Sequence, residues 1–298
     1  MTHIPVMIGE LIEIFAGAPD GILIDATFGL GGHSIALHRS LVSKFKIIGI
    51  DADSEVLAQV GSLPEGISVR NMRFSELPVM IQSEGIGPVC GILFDLGLNS
   101  AQLDDPSRGF SFSQAGPIDM RFDRTSGIPA SQMIRRISVP ELVTIIKEYG
   151  EERHARAIAR AIIETKPEST DGLAAIIKRV VGSGSFIKSA AKVFQALRIY
   201  INRELDELQQ TLYNVIPLLS GGGRIAVISY HSLEDRMVKR QFKLNSGKCF
   251  CAPDAPVCTC GKRNLLQILS KKPLRPSSEE VAQNSRARAA RLRYAERV

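Results

Sequence analysis

Three carboxylates stand where apolar runs end: Ile22-Leu23-Ile24-Asp25, Phe45-Lys46-Ile47-Ile48-Gly49-Ile50-Asp51 and Val89-Cys90-Gly91-Ile92-Leu93-Phe94-Asp95. Each run reads as a buried parallel strand with an acid at its carboxyl end, the edge where open α/β sheets bind ligands. A glycine turn, Gly29-Leu30-Gly31-Gly32-His33-Ser34, follows the first run, and Ile35-Ala36-Leu37-His38 starts a helix behind it. A strand, a glycine turn and a helix N-terminus bring backbone N–H groups up to a ligand. Asp51 lies about 20 residues beyond the turn, where an acid takes ribose hydroxyls. Asp53 suits a different task, capping the helix that begins at Ser54.

Two ligands use such a turn. In the dinucleotide fingerprint G-x-G-x-x-G, Gly29 and Gly31 fill the first two places and Ser34 holds the third. The nucleoside end of S-adenosylmethionine has no pyrophosphate and makes less demand on a phosphate cradle. Both want Asp51, and the turn alone does not choose between them. A tight strand-to-helix turn with no ligand is the third reading.

These residues need a sheet to hold them. Leu11, Ile12, Ile14 and Phe15 predict a short helix ahead of the first strand. A helix is expected from Ser54 to about Val60, and alternation predicts a third strand over Ile67–Arg73. That strand leaves Phe74 at the ligand edge, to lie against an adenine or to pack on the next helix. Residues 98–123 are rich in turn formers but interleaved with phenylalanine and charge, the mark of an ordered functional loop. From about Ala130 to Glu207 the pattern turns helical: a block between sheet strands, as in a substrate domain. Arg153, Arg156 and Arg160 share one helix face, and Lys188, Lys192, Arg198 and Arg203 follow; these bind phosphates or are simply solvated. The sheet resumes at Gly221–Ser229, followed by Tyr230 and His231, and again at Leu265–Leu269. The tail from Asn284 to Val298 holds five arginines and one glutamate. It reads as a solvated helix or an RNA-facing arm.

Composition narrows the classes. A chain of 298 residues with 44% apolar and 23% charged residues is an ordinary globular protein with room for a second domain. A net charge of +6 favours an anionic partner such as RNA only modestly. With no tryptophan and 6% aromatics, broad base-stacking platforms are excluded. No apolar run is long enough to span a membrane, and the first residues lack the form of a signal peptide, so a cytoplasmic protein is expected. Of five cysteines, Cys90 falls in a strand; the others form Cys249-Phe250-Cys251 and Cys258-Thr259-Cys260. Zinc sites more often use C-x-x-C spacing. A surface loop of free thiols is the favoured reading over zinc, and no metal site is expected.

Taken in order, many blocks resemble the bacterial RsmH (MraW) family. They include His3-Ile4-Pro5-Val6, Asp25-Ala26-Thr27-Phe28-Gly29-Leu30-Gly31-Gly32-His33-Ser34, Gly49-Ile50-Asp51-Ala52-Asp53 and Asp95-Leu96-Gly97 with Gln102-Leu103-Asp104. Arg108-Gly109-Phe110-Ser111-Phe112, Gly116-Pro117-Ile118-Asp119-Met120-Arg121, Phe194-Gln195-Ala196-Leu197-Arg198 and Ser229-Tyr230-His231-Ser232-Leu233-Glu234-Asp235-Arg236 continue the match. The resemblance implies a class I S-adenosylmethionine-dependent methyltransferase: an α/β, Rossmann-like sheet with an inserted all-helical domain. Residues 1–105 and 206–298 would form the core and 106–205 the substrate-recognition insertion. The implied reaction methylates the exocyclic N4 amine of a cytosine in 16S ribosomal RNA of the small ribosomal subunit. Cofactor contacts would fall on Gly31, Gly32, His33, Asp51, Phe74, Asp95 and Gln102. Asp119 and His231 are the candidate catalytic acceptors; Asp119 could instead brace Arg121, and His231 could simply cap its strand end. The chain departs from the family at Asn99, usually serine, and at Lys188-Ser189-Ala190-Ala191-Lys192, usually His-Pro-Ala-Thr-Arg.

Overall fold

The structure, a computed structural model, describes residues 5–252 and 257–298. His3 and Ile4 of the first family block lie outside them. The chain forms two compact units, Met1–Gly97 with Leu205–Val298, and Leu98–Glu204.

The first unit is built on seven strands: β1 (Gly21–Asp25), β2 (Phe45–Asp51), β3 (Ile67–Asn71), β4 (Val89–Asp95), β5 (Leu219–Ser229), β6 (Leu266–Ile268) and β7 (Arg291–Arg297). They lie in the order β3-β2-β1-β4-β5-β7-β6. The first five pair in parallel, while β7 runs antiparallel to both neighbours. The central strands β1 and β4 are apolar almost throughout because both faces are covered. One face packs Ile24, Ile48, Ile92, Phe94 and Ile225 against Leu77, Leu208, Leu212 and Phe242. The other packs Leu23, Ile47, Leu93 and Ile228 against Leu11, Phe15 and Leu37. The helices of this chain are α1 (Ile8–Ala16), α2 (Gly32–Ser40), α3 (Ser54–Leu57), α4 (Leu77–Ser83), α5 (Ser100–Asp104), α6 (Ala130–Arg136), α7 (Val139–Gly150), α8 (Ala155–Thr165), α9 (Thr170–Val181), α10 (Phe186–Asn202), α11 (Glu204–Val215), α12 (Ser232–Asn245) and α13 (Ser278–Gln283).

This is the class I methyltransferase sheet. The dinucleotide-binding order 3-2-1-4-5-6 is parallel throughout; here a reversed strand wedges in beside β5.

Two expectations are corrected. The tail is neither a solvated helix nor a free arm, because Leu292 and Ala295 are fully buried and β7 pairs on both edges. Two arginines of β7 are used internally. Arg293 Nε donates to Asp235 Oδ1 at 2.6 Å, and Arg291 Nη1 reaches Asp235 Oδ2 at 3.3 Å. The helix after Asp53 is a single turn, Ser54–Leu57, although Asp53 caps it as expected through bonds from the Glu55 and Val56 N–H groups.

In the second unit each helix buries one stripe. Leu142, Ile145 and Ile146 of α7, Ile158 and Ile162 of α8, Leu173 and Ile177 of α9, and Val193, Phe194 and Leu197 of α10 are buried. The three- and four-residue spacing is that of one helix face. Leu98 and Leu103, expected with the sheet, pack into this helical core. Asn99 caps α5 by accepting the Gln102 N–H at 2.9 Å. Serine does the same job, so the departure at this position preserves the cap.

Candidate functional site

The carboxyl ends of β1, β2, β4 and β5 bring one set of polar groups together in the sheet unit. Gly29 and Gly31 have positive φ, 54° and 81°, and Gly31 is the N-cap of α2. A Cβ on Gly31 would lie 2.6 Å from Phe28 Cζ. The buried Phe28 ring therefore demands glycine here as much as the backbone does.

Asp51 ties this turn to β2. Its Oδ2 accepts the Gly29 N–H at 2.8 Å and its Oδ1 accepts the Asp53 N–H at 2.9 Å. Each oxygen keeps a second lone pair. Burial pushes the carboxyl up to about 6, against the pull of those two N–H groups, with the Asp53 and Asp25 charges adding to the rise.

The three strand-end acids are not equivalent. Asp25 is 1% exposed, receives the Ser34 hydroxyl at 2.7 Å and the Thr27 N–H at 3.2 Å, and is raised by burial. It holds the turn from below. Ser34, in the place of the third fingerprint glycine, is its buried partner. Asp51 and Asp95 are the part-exposed acids.

Asp95 receives the Tyr230 hydroxyl at 2.8 Å, and its Oδ2 lies 3.6 Å from His33 Nδ1. The other His33 nitrogen meets the Val6 carbonyl at 2.8 Å, so this buried ring ties the N-terminal segment to the start of α2. Gly32 is the first residue of that helix. Burial, then the Asp95 charge, drives the Tyr230 hydroxyl well above its usual value, which fixes it as a donor. Sequence reasoning placed Tyr230 directly after a strand end but gave it no partner. Phe74 opens a short 3-10 turn after β3 and meets Phe94 edge-on, with ring centroids 5.8 Å apart.

His231 begins α12. Its Nδ1 receives the Glu234 N–H at 3.4 Å, and the Glu234 carboxylate accepts the His231 N–H at 3.2 Å, a reciprocal cap. The remaining predicted residues belong to the helical unit. Gln102 is buried, and its Oε1 accepts the Asn99 N–H at 3.2 Å. Asp119 is gripped by Arg121 through Nε at 2.8 Å and Nη2 at 2.9 Å. Burial alone would raise Asp119, but the Arg121 bonds outweigh it and hold the carboxyl below its usual value. A carboxylate so placed braces Arg121, whose Nη1 also donates to the Arg124 and Ser126 carbonyls. It is a weak proton acceptor.

A profile of the MraW methylase family matches residues 1–298. The chain belongs to this family. A family relative from Thermomicrobium roseum, Ribosomal RNA small subunit methyltransferase H, is 46% identical over 306 residues, covering 100% of this chain and 94% of that relative. Proteins of the same name from Caldicellulosiruptor bescii and Halothermothrix orenii are 43% and 42% identical, covering 99% and 100% of this chain and 99% of each relative. The family match runs through the glycine turn, the strand-end acids and the helical unit alike. Among the described residues no helix is long and apolar enough to cross a membrane.

Proposed function

We propose that this chain transfers a methyl group from S-adenosylmethionine to the exocyclic N4 amine of one cytosine in 16S ribosomal RNA, acting on the small ribosomal subunit. The observation that carries this reading is the full-length likeness, at up to 46% identity, to relatives named as small-subunit ribosomal RNA methyltransferases. The site chemistry supports it. The free lone pairs of Asp51 suit two ribose hydroxyls, the Gly31–Gly32 backbone suits the methionine end, and Phe74 suits the adenine. Asp95, oriented by Tyr230, suits the cationic sulfonium side. His33 acts by holding the turn. Gln102 has its carboxamide oxygen committed inside the helical unit, so it is a weaker candidate for the cofactor.

Methyl transfer to nitrogen is an in-line displacement. The nitrogen–carbon bond forms as the carbon–sulfur bond breaks, and S-adenosylhomocysteine leaves. Alignment supplies most of the acceleration. The amine lone pair is delocalised into the ring, so the methylated cation is a strong acid that gives its proton to water without a dedicated base. That suits Asp119 and His231, which then act through what they position: Arg121 in one unit and the head of α12 in the other. The exposed Arg156 and Arg160 of α8 are the candidate phosphate contacts. A folded, splayed target is expected, since proteins read RNA mostly in unpaired regions.

The test supplies methyl-labelled S-adenosylmethionine to small subunits from cells lacking this gene, with mass spectrometry of the digested RNA. One N4-methylated cytosine is expected. A label on a ring carbon or a ribose, or no label at all, overturns the proposal.

A further inference from the structure

The loop between α12 and β6 carries a second assembly, in the sheet unit, which methyl transfer does not use. We propose that Cys249, Cys251, Cys258 and Cys260 bind one zinc ion as a structural knuckle. The sequence alone favours a surface loop of free thiols over zinc at these two C-x-C pairs. In the structure the four sulfurs all lie within 4.8 Å of one another.

The spacing is that of a coordination shell. Zinc–sulfur bonds of about 2.3 Å in a tetrahedron place the sulfurs about 3.8 Å apart. Cys258–Cys260, Cys249–Cys258, Cys249–Cys260 and Cys251–Cys258 stand at 3.4, 3.6, 3.6 and 4.0 Å. Disulfides need about 2.05 Å, and all four cysteines are free. Backbone N–H groups point at the sulfurs: Cys251 N donates to Cys249 Sγ at 3.4 Å, and Thr259 N donates to Cys251 Sγ at 3.3 Å. Such donors stabilise thiolates, and a four-thiolate zinc site carries two net negative charges that need them. Lys248 and Lys262 flank the cluster in sequence on either side.

The two C-x-C pairs sit on two arms that are already fastened at the base. Gly247 N donates to the Arg263 carbonyl at 2.7 Å, Arg263 N to Leu244 at 2.8 Å, and Leu265 N to Asn245 at 2.7 Å. Arg263 lies flat over the Tyr213 ring of α11 at 3.6 Å and donates to the Tyr213 carbonyl at 2.9 Å. Hydrogen bonds thus close the base, and the four-sulfur set closes the tip. Four soft, close sulfur ligands in this spacing suit a closed tetrahedral site, which makes the ion structural rather than catalytic. The four thiols release their protons on binding.

The full chain, tag-free and purified in reducing buffer without chelator, is assayed by elemental mass spectrometry. About one zinc per chain is expected. In Cys258→Ser/Cys260→Ser the zinc content falls at least about tenfold, with far-ultraviolet dichroism otherwise kept. Should that variant not fold, cobalt titration of the stripped wild-type chain decides. Sulfur-to-cobalt charge transfer with tetrahedral ligand-field bands, erased by zinc, supports the site. A pale octahedral cobalt spectrum overturns it. So does protein that carries iron instead, or zinc-free protein with four reactive thiols or two disulfides.

Discussion

Asp51 sets two pH dependences that run in opposite directions. Its carboxyl is pushed up to about 6 from an ordinary 3.8. Only the ionised form offers free acceptor lone pairs on both oxygens to a ribose. At about pH 5 roughly one-tenth of the sites are ionised, and at about pH 8 nearly all are, so cofactor affinity rises about tenfold across that interval. Folding stability changes the other way. A raised folded-state value means the native protein holds its proton longer. That stabilisation is complete below 3.8 and is lost as pH rises through about 6. The difference corresponds to at most about 3 kcal/mol, and to nearer 1 after screening at the part-exposed edge. Calorimetry with S-adenosylhomocysteine from about pH 5 to about pH 8, beside urea unfolding of the ligand-free chain, measures both. In Asp51→Asn the affinity profile flattens. The affinity near neutrality falls about 10- to 100-fold for the loss of one charge-assisted bond. An affinity that stays within about twofold over this range, or a variant with the wild-type slope, refutes Asp51 as the ribose acceptor.

Three further outcomes follow from packing and charge. Gly49→Ala places a Cβ 2.1 Å from Phe28 Cδ2 in the middle of β2; a loss of about 1–3 kcal/mol or more is expected in urea unfolding, and an unchanged midpoint would show that Phe28 has room to move. Arg198 and Glu204 pair through two bonds of 2.9 and 3.0 Å with both side chains mostly buried; Arg198→Ala is expected to cost about 3 kcal/mol, and a loss below about 0.5 kcal/mol would make the pair a solvated one. At Asp235 burial favours the neutral acid, but Arg293 and Arg291 win and hold it below 3.8. Its stabilisation is therefore present above 3.8 and lost as pH falls through the lowered value. Asp235→Asn should cost about 2 kcal/mol near neutrality and little in acid, and equal losses at both pH values would argue against the ion pair.

The sheet was legible because β1, β4 and the Ile47–Ile50 stretch of β2 are apolar runs that end in acid, a pattern that buried parallel strands share with little else. β7 was not. Five arginines from Asn284 to Val298 looked like a solvated or RNA-facing segment, and Leu292 and Ala295, buried on opposite faces of the sheet, were masked by charge that Asp235 neutralises from another element. The strand-end acids were legible as residues of one sheet edge, but their different burial was not. Asp25, Asp51 and Asp95 look alike in sequence, and only burial separates the acid that braces the turn from the two that face outward. Asp119 shows the same limit, since Arg121 two residues away is both its neighbour and its captor. The closeness of the four thiols was not legible, because spacing along the chain does not show the arm pairing that brings the two C-x-C pairs together.

The place of β7 also governs when the sheet can close during synthesis. Its partner Arg224 is bonded to Glu296, 72 residues later, and among the described residues β6 pairs with no strand but β7. A nascent chain can therefore form β1 to β5 early, yet β5 keeps a bare edge and β6 stays unpaired until β7 has emerged. Chains truncated before Arg291 should collect as aggregation-prone intermediates.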